Sequence, residues 1–235
     1  MKQQKATINN DRTSHARYLV IYGIIGYSLC TIADYILEYL PNNQLTWESF
    51  NDYNVLLEAT KGTTTKRFGI SGVLGIISMI FISLGLVGIS EYIHKYSSIA
   101  SEIMLVGGIG AATTGAGYHI ITTLLPWIFL SGHSTKESFE IVNQFLNDHQ
   151  LVLKVNSLCY IVFSLTYTFI VITGKTPLPR WASVIHIGFL FSILDYFKVP
   201  GAANTGGLIM CICFYILSGV CSSKNTKINN NKKKE

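Results

Sequence analysis

Apolar residues in this chain are gathered into long runs separated by short polar stretches. The runs are Tyr18 to Leu40, Phe68 to Ile93, Ile99 to about Leu130, Leu151 to Thr173, Trp181 to Val199 and Asn204 to Cys221. A stretch of about 18 apolar residues is long enough to cross a bilayer as a helix. The third run exceeds one upright span, and Pro126 is expected to kink or end it. The pattern predicts an all-α polytopic bundle of six spans, at about 18–40, 68–93, 99–126, 151–173, 181–199 and 204–221.

The segments between the runs differ in kind. Residues 1–17 form a basic head with Lys2, Lys5, Arg12 and Arg17, and no small-residue cleavage site follows it, so the first run is read as a retained span. Residues 47–60 carry Trp47, Phe50, Tyr53, Leu56 and Leu57 among acids. Residues 134–149 open on Ser134-Thr135-Lys136-Glu137, a capping-box pattern, and continue with Phe139, Val142, Phe145 and Leu146 at helical spacing. Both read as short amphipathic helices that lie on the membrane or lid the bundle. Residues 222–235 are Lys/Asn-rich and are expected to be a disordered cytosolic tail.

Composition agrees with the runs. The chain is 49% hydrophobic and 13% charged, about half the charge of a soluble domain. A net charge of +5 sits in tails and short loops, without a basic stripe interleaved with aromatics. Nucleic acid is therefore not an expected partner, and the bilayer is. Five cysteines, Cys30, Cys159, Cys211, Cys213 and Cys221, all lie inside apolar runs and read as small apolar filler rather than a disulfide framework.

Orientation follows from the loop cations. With the N-terminus inside, inner segments hold twelve Lys and Arg: four in the head, Lys95, Lys175, Arg180 and five in the tail. Outer segments hold six: Lys61, Lys66, Arg67, Lys136, Lys154 and Lys198. Both termini are thus expected in the cytosol, whether the membrane is a bacterial cytoplasmic one or a eukaryotic endomembrane or plasma membrane. Gly69, Gly72 and Gly75 in the second span and Gly107 to Gly117 in the third predict close contact between those two spans.

Polar groups inside the spans carry the functional signal, because an ionisable side chain in hydrocarbon costs a few kcal/mol or more. Asp34 and Glu38 share a face of the first span, and Tyr27 and Thr31 continue that stripe. Asp34 lies about 9 Å from the outer end at 1.5 Å per residue. The third span brings Tyr118, His119, Thr122 and Thr123; the fourth brings Asn156, Tyr160, Ser164 and Tyr167. Asp195 ends the fifth and Asn204 opens the sixth. Asp34, Glu38, His119, Asn156, Asp195 and Asn204 all fall in the outer half, so a polar cavity open to the outer face is expected. His186, mid-span and away from Asp195, reads as a packing histidine.

Two carboxyl groups one helical turn apart, with a histidine near them, suit proton transfer. The candidate catalytic residues are Asp34, Glu38, His119 and Asp195. The candidate substrate contacts are Tyr27, Thr31, Tyr118, Asn156, Tyr160 and Asn204. Neither H-x-x-x-H nor H-E-x-x-H occurs, so no metal or other cofactor is expected. Three classes of function stay open. The first is binding or acid-base transformation of a small amphiphile or lipid. The second is proton-coupled transport of a small solute. The third is a structural or accessory role without chemistry. A homo-oligomer is compatible with all three.

Ala33-Asp34-Tyr35-Ile36-Leu37-Glu38, Arg67-Phe68-Gly69 and Gly115-Ala116-Gly117-Tyr118-His119, with Asp195-Tyr196 through Pro200-Gly201-Ala202-Ala203-Asn204-Thr205-Gly206-Gly207, resemble an uncharacterised multi-pass membrane family of microbes. The family shows a Gly-Asp pair where this chain has Ala33-Asp34. The resemblance implies the architecture and an emphasis on Asp34, His119, Asp195 and Asn204. It implies no reaction.

Overall fold

In hydrocarbon no water is present to bond the main chain, so each apolar run must satisfy its own N–H and C=O groups by becoming helical. The structure, a computed structural model, describes residues 2–231, with side chains from 13 to 221. Most of the basic head and the 222–235 tail lie outside the residues whose side chains are described. The helices are α1 (Lys2–Glu38), α2 (Tyr53–Thr60), α3 (Thr65–His94), α4 (Ser98–Ser131), α5 (Lys136–Ile172), α6 (Ile187–Tyr196) and α7 (Ala202–Asn231). Thr13–Glu38 of α1, all of α3, α4 and α5, and Ala202–Cys221 of α7 are long and apolar enough to cross a membrane. Their outer faces expose large apolar side chains, Val106 at 74% and Leu151 at 71% among them. So much exposed apolar surface is stable against lipid and not against water. The chain is a helical-bundle membrane protein.

Neighbouring helices pack antiparallel, and the register is legible from small residues. Gly23 and Gly26 of α1 meet Gly85 and Ile82 of α3. Gly72 and Gly75 of α3 meet Thr123 and His119 of α4, and Gly107 and Gly117 of α4 meet Cys159 and Val152 of α5. The expected close contact of the second and third runs is present, but the glycines serve more interfaces than that one. Gly107, Gly110 and Gly117 face α5, and a close backbone-to-backbone approach joins α1 to α3 at Gly23 and Gly85. α7 runs back along α1, with Arg17 stacked over the Tyr215 ring at 4.4 Å. α6 packs on α7 and α5.

Three elements differ from the pattern-based expectation. The fifth run is not one helix: a 3-10 turn at Arg180–Val184 precedes α6, which is ten residues long. That is about 15 Å of helix at 1.5 Å per residue. His186 is the reason for the break: it adopts extended backbone, and its Nδ1 accepts from Phe189 N at 3.3 Å, capping α6 instead of packing mid-span. The 134–149 segment and the fourth run form one helix of 37 residues, α5. No Gly or Pro lies between Lys136 and Ile172 to stop it. Its cap is Thr135, whose Oγ1 accepts from Ser138 N at 3.2 Å, one residue later than the capping-box pattern implied. α4 continues through Pro126 and ends at Gly132.

The 47–60 segment lids the bundle. Asp52 caps α2 by accepting from the backbone of Asn54 and Val55. Leu56 and Ala59 are fully buried, in a cluster with Leu37, Phe68, Leu125, Phe129 and Val142. This plug closes the end of the bundle at which α1 stops and α3 begins.

A Cβ at Gly23 would stand 2.8 Å from Gly85 Cα, whereas one at Gly69 meets nothing within 4 Å. Gly23→Ala is expected to destabilise the protein by about 1–3 kcal/mol, the usual cost of overpacking. Gly69→Ala is expected to be neutral or to gain up to ~1 kcal/mol from helix propensity. Thermal unfolding of the detergent-solubilised protein checks both, and equal effects would refute the register.

Candidate functional site

Asp34 lies on the last turn but one of α1, and it is 5% exposed. Three other segments converge on it. Asn204, in the first turn of α7, donates Nδ2–H to Asp34 Oδ2 at 2.7 Å. His119 of α4 brings Nδ1 to 3.8 Å from Asp34 Oδ1. On its other side the same ring has Nε2 2.9 Å from Cys30 Sγ, one turn before Asp34 on α1. One turn after Asp34, Glu38 accepts the Gly201 N–H at 3.1 Å.

Local backbone makes this convergence possible. Gly201 has φ +60, which suits glycine, and a Cβ there would fall 2.5 Å from Asp34 Oδ2. The turn before α7 can press on Asp34 only because it has no side chain. Gly75 does the same for His119: a Cβ on it would sit 2.6 Å from the imidazole Cγ. Arg67 fastens the end of α1 by donating to Ile36 O at 2.5 Å and to Tyr39 O. Those are orphan carbonyls of the helix terminus.

The sequence-predicted residues separate into groups. Asp34, Glu38, His119 and Asn204 meet as described. Tyr27 is fully buried beneath Gly207, with Tyr160 within electrostatic range of its hydroxyl. Tyr118 lies above, edge-on to Trp47 of the lid at a centroid distance of 6.1 Å. Thr31 lines a surface groove of about 440 Å³ with Tyr35, Tyr39 and Arg67 on the outside of α1. Asn156 faces elsewhere, its Nδ2 donating to Ala111 O at 2.8 Å and Thr114 Oγ1 at 3.1 Å, so it locks α4 to α5. Asp195 is exposed on α6, within electrostatic range of Glu38.

Cys30, Gly75 and Gly201 also belong to the cluster, although by residue type they read as apolar filler, a packing glycine and a turn glycine. Cys30 is at i−4 from Asp34, so the helical period already put it on the polar stripe. One donor atom each from Cys30, Asp34 and His119 lies within 4.8 Å of the others. This trio is close enough to hold a metal ion.

A multi-pass helical membrane protein with a buried polar cluster at one end of its bundle is thereby defined. The chain belongs to a family of unknown function, DUF6796, whose profile matches residues 1–214. No curated protein and no solved structure matches it.

Removing Asn204 leaves the buried Asp34 carboxyl without its closest partner. Asn204→Ala is expected to cost about 1–3 kcal/mol, the range for an orphaned buried polar group. In a double-mutant cycle with Asp34→Ala the two losses should not add, because the groups share one bond. Additive losses in unfolding experiments would show that the 2.7 Å contact contributes nothing.

Proposed function

We propose that the protein binds and transforms a small amphiphile or lipid at an intramembrane site built on Asp34, Glu38, His119 and Asn204. The observation that carries this reading is the meeting of two carboxyl groups and an imidazole inside an apolar bundle, held from three helices and a turn. Packing alone does not require so many ionisable groups in one place. In this reading Asp34 and Glu38 exchange the proton, His119 relays it, and Asn204 orients Asp34. Tyr27, Tyr160 and Tyr118 give the substrate aromatic surface above and below the carboxyl groups.

The loop charges support placing this end of the bundle on the outer side of the membrane. The α2 plug covers the site from water, so the ligand would come laterally from the lipid. The groove on the outside of α1 that contains Thr31 and Tyr35 supports such a route. An amphiphile entering from the outer leaflet would bring its polar group down to Asp34 and leave its chains in the bilayer.

Untargeted lipidomics of a deletion strain tests the reading. Wild type should restore the altered lipid species, whereas Asp34→Asn and Glu38→Gln should not, at equal membrane levels and unchanged thermal stability. A strain complemented equally well by Asp34→Asn would refute it. A lipid whose distribution across the membrane changes while its amount does not would replace chemistry by transport.

A further inference from the structure

We propose that Cys30, Asp34 and His119 bind one zinc ion inside the bundle, near the end where α1 stops. The inference concerns the site proposed above but does not depend on its acid-base reading, because metal content is measured without a substrate.

Three observations carry it. The first is the donor set. One atom each from a thiol, a carboxyl group and an imidazole lies within 4.8 Å of the others, and all three residues are buried. Sulfur and nitrogen donors with one carboxylate suit zinc and disfavour magnesium or calcium, which take oxygen.

The second observation is an orphan. His119 is 3% exposed, and its Nδ1 has no hydrogen-bond partner. Its Nδ1 stands 3.8 Å from Asp34 Oδ1, beyond direct hydrogen-bond distance. That separation is close to the roughly 3.4 Å between two light-atom ligands on tetrahedral zinc at ~2.05 Å each. An ion between Asp34 and His119 satisfies both groups at once. Cys30 Sγ stands 2.9 Å from the other ring nitrogen and swings from it to become the third ligand.

The third observation is the surroundings. Asn204 donates to Asp34 Oδ2, leaving Oδ1 free for the ion, as an outer-shell partner does. Gly75 under the imidazole and Gly201 against the carboxyl group hold both ligands in place by close contact. Three protein ligands leave the fourth position of a tetrahedral ion open to water, the arrangement of catalytic rather than structural zinc. A zinc ion there would lower the pKa of its bound water, and Glu38, one turn along α1, would be the candidate to accept that proton.

The test uses the full chain in detergent or nanodiscs. Elemental analysis of wild type should find about one zinc per chain, in line with a single three-ligand site. Cys30→Ser, Asp34→Asn and His119→Ala should each lose most of it, and Asp195→Asn should keep it. Should those variants fail to fold, cobalt(II) exchanged into wild type gives a second readout. A thiolate-to-cobalt charge-transfer band with tetrahedral d–d absorption assigns Cys30 as a ligand. Wild type that is purified without zinc and takes up neither zinc nor cobalt overturns the proposal. Bound zinc with an unchanged lipidome leaves the metal site standing and removes the acid-base reading.

Discussion

The structure depends on keeping the Asp34 carboxyl group satisfied at a depth where lipid offers it nothing. A carboxyl group buried in a low dielectric without hydrogen-bonding partners is costly. The bundle meets that cost by bringing a different segment to each side of it. Asn204 enters with the first turn of α7, His119 from α4, and Glu38 on the next turn of α1 takes the Gly201 N–H. The turn at residues 197–201 serves the same demand, through Gly201. The chain must return to the level of Asp34, well inside the end of α1, before α7 can start.

Glycine is what lets these segments arrive. Within lipid, helices gain little from burying apolar surface against one another, so close van der Waals contact must hold them. Gly23 on Gly85, Gly26 on Ile82 and Gly88 on Ala16 bring α1 and α3 together along most of their length. The same device then acts on the polar groups. Gly75 accepts the His119 ring, Gly207 accepts the Tyr27 ring and Gly201 accepts Asp34. Scaffold contacts and site contacts are therefore the same kind of contact, and an added methyl group would disturb either.

Helix content and membrane character were legible because they rest on run length, a property of single segments. Asp34, Glu38, His119 and Asn204 were legible for a related reason: an ionisable or amide group inside such a run stands out without any knowledge of the fold. What hid from the pattern was pairwise. Cys30 looks like apolar filler until His119 is placed beside it. Gly201 looks like an ordinary turn glycine until the Asp34 carboxyl occupies the place of its missing side chain. Asn156 looked like a member of the cluster because depth along a span is readable from sequence and azimuth is not. His186 looked like a packing residue because an apolar run hides the break that its own side chain caps.

Asn156 also provides the comparison that separates a lock from a site. Its Nδ2 places both hydrogens, on Ala111 O and Thr114 Oγ1, and so holds α4 to α5. A polar group that serves only packing should look like that, since each unsatisfied donor or acceptor in a low dielectric costs stability. The Asp34 cluster does not look like that. Its imidazole has one nitrogen against a thiol and the other facing a carboxyl group across a gap too wide for a hydrogen bond. The carboxyl group has one oxygen bonded and the other turned to that gap. Two buried donor atoms, the imidazole Nδ1 and the Asp34 Oδ1, thus face each other across a gap that neither fills, with the Cys30 thiol against the far side of the same ring.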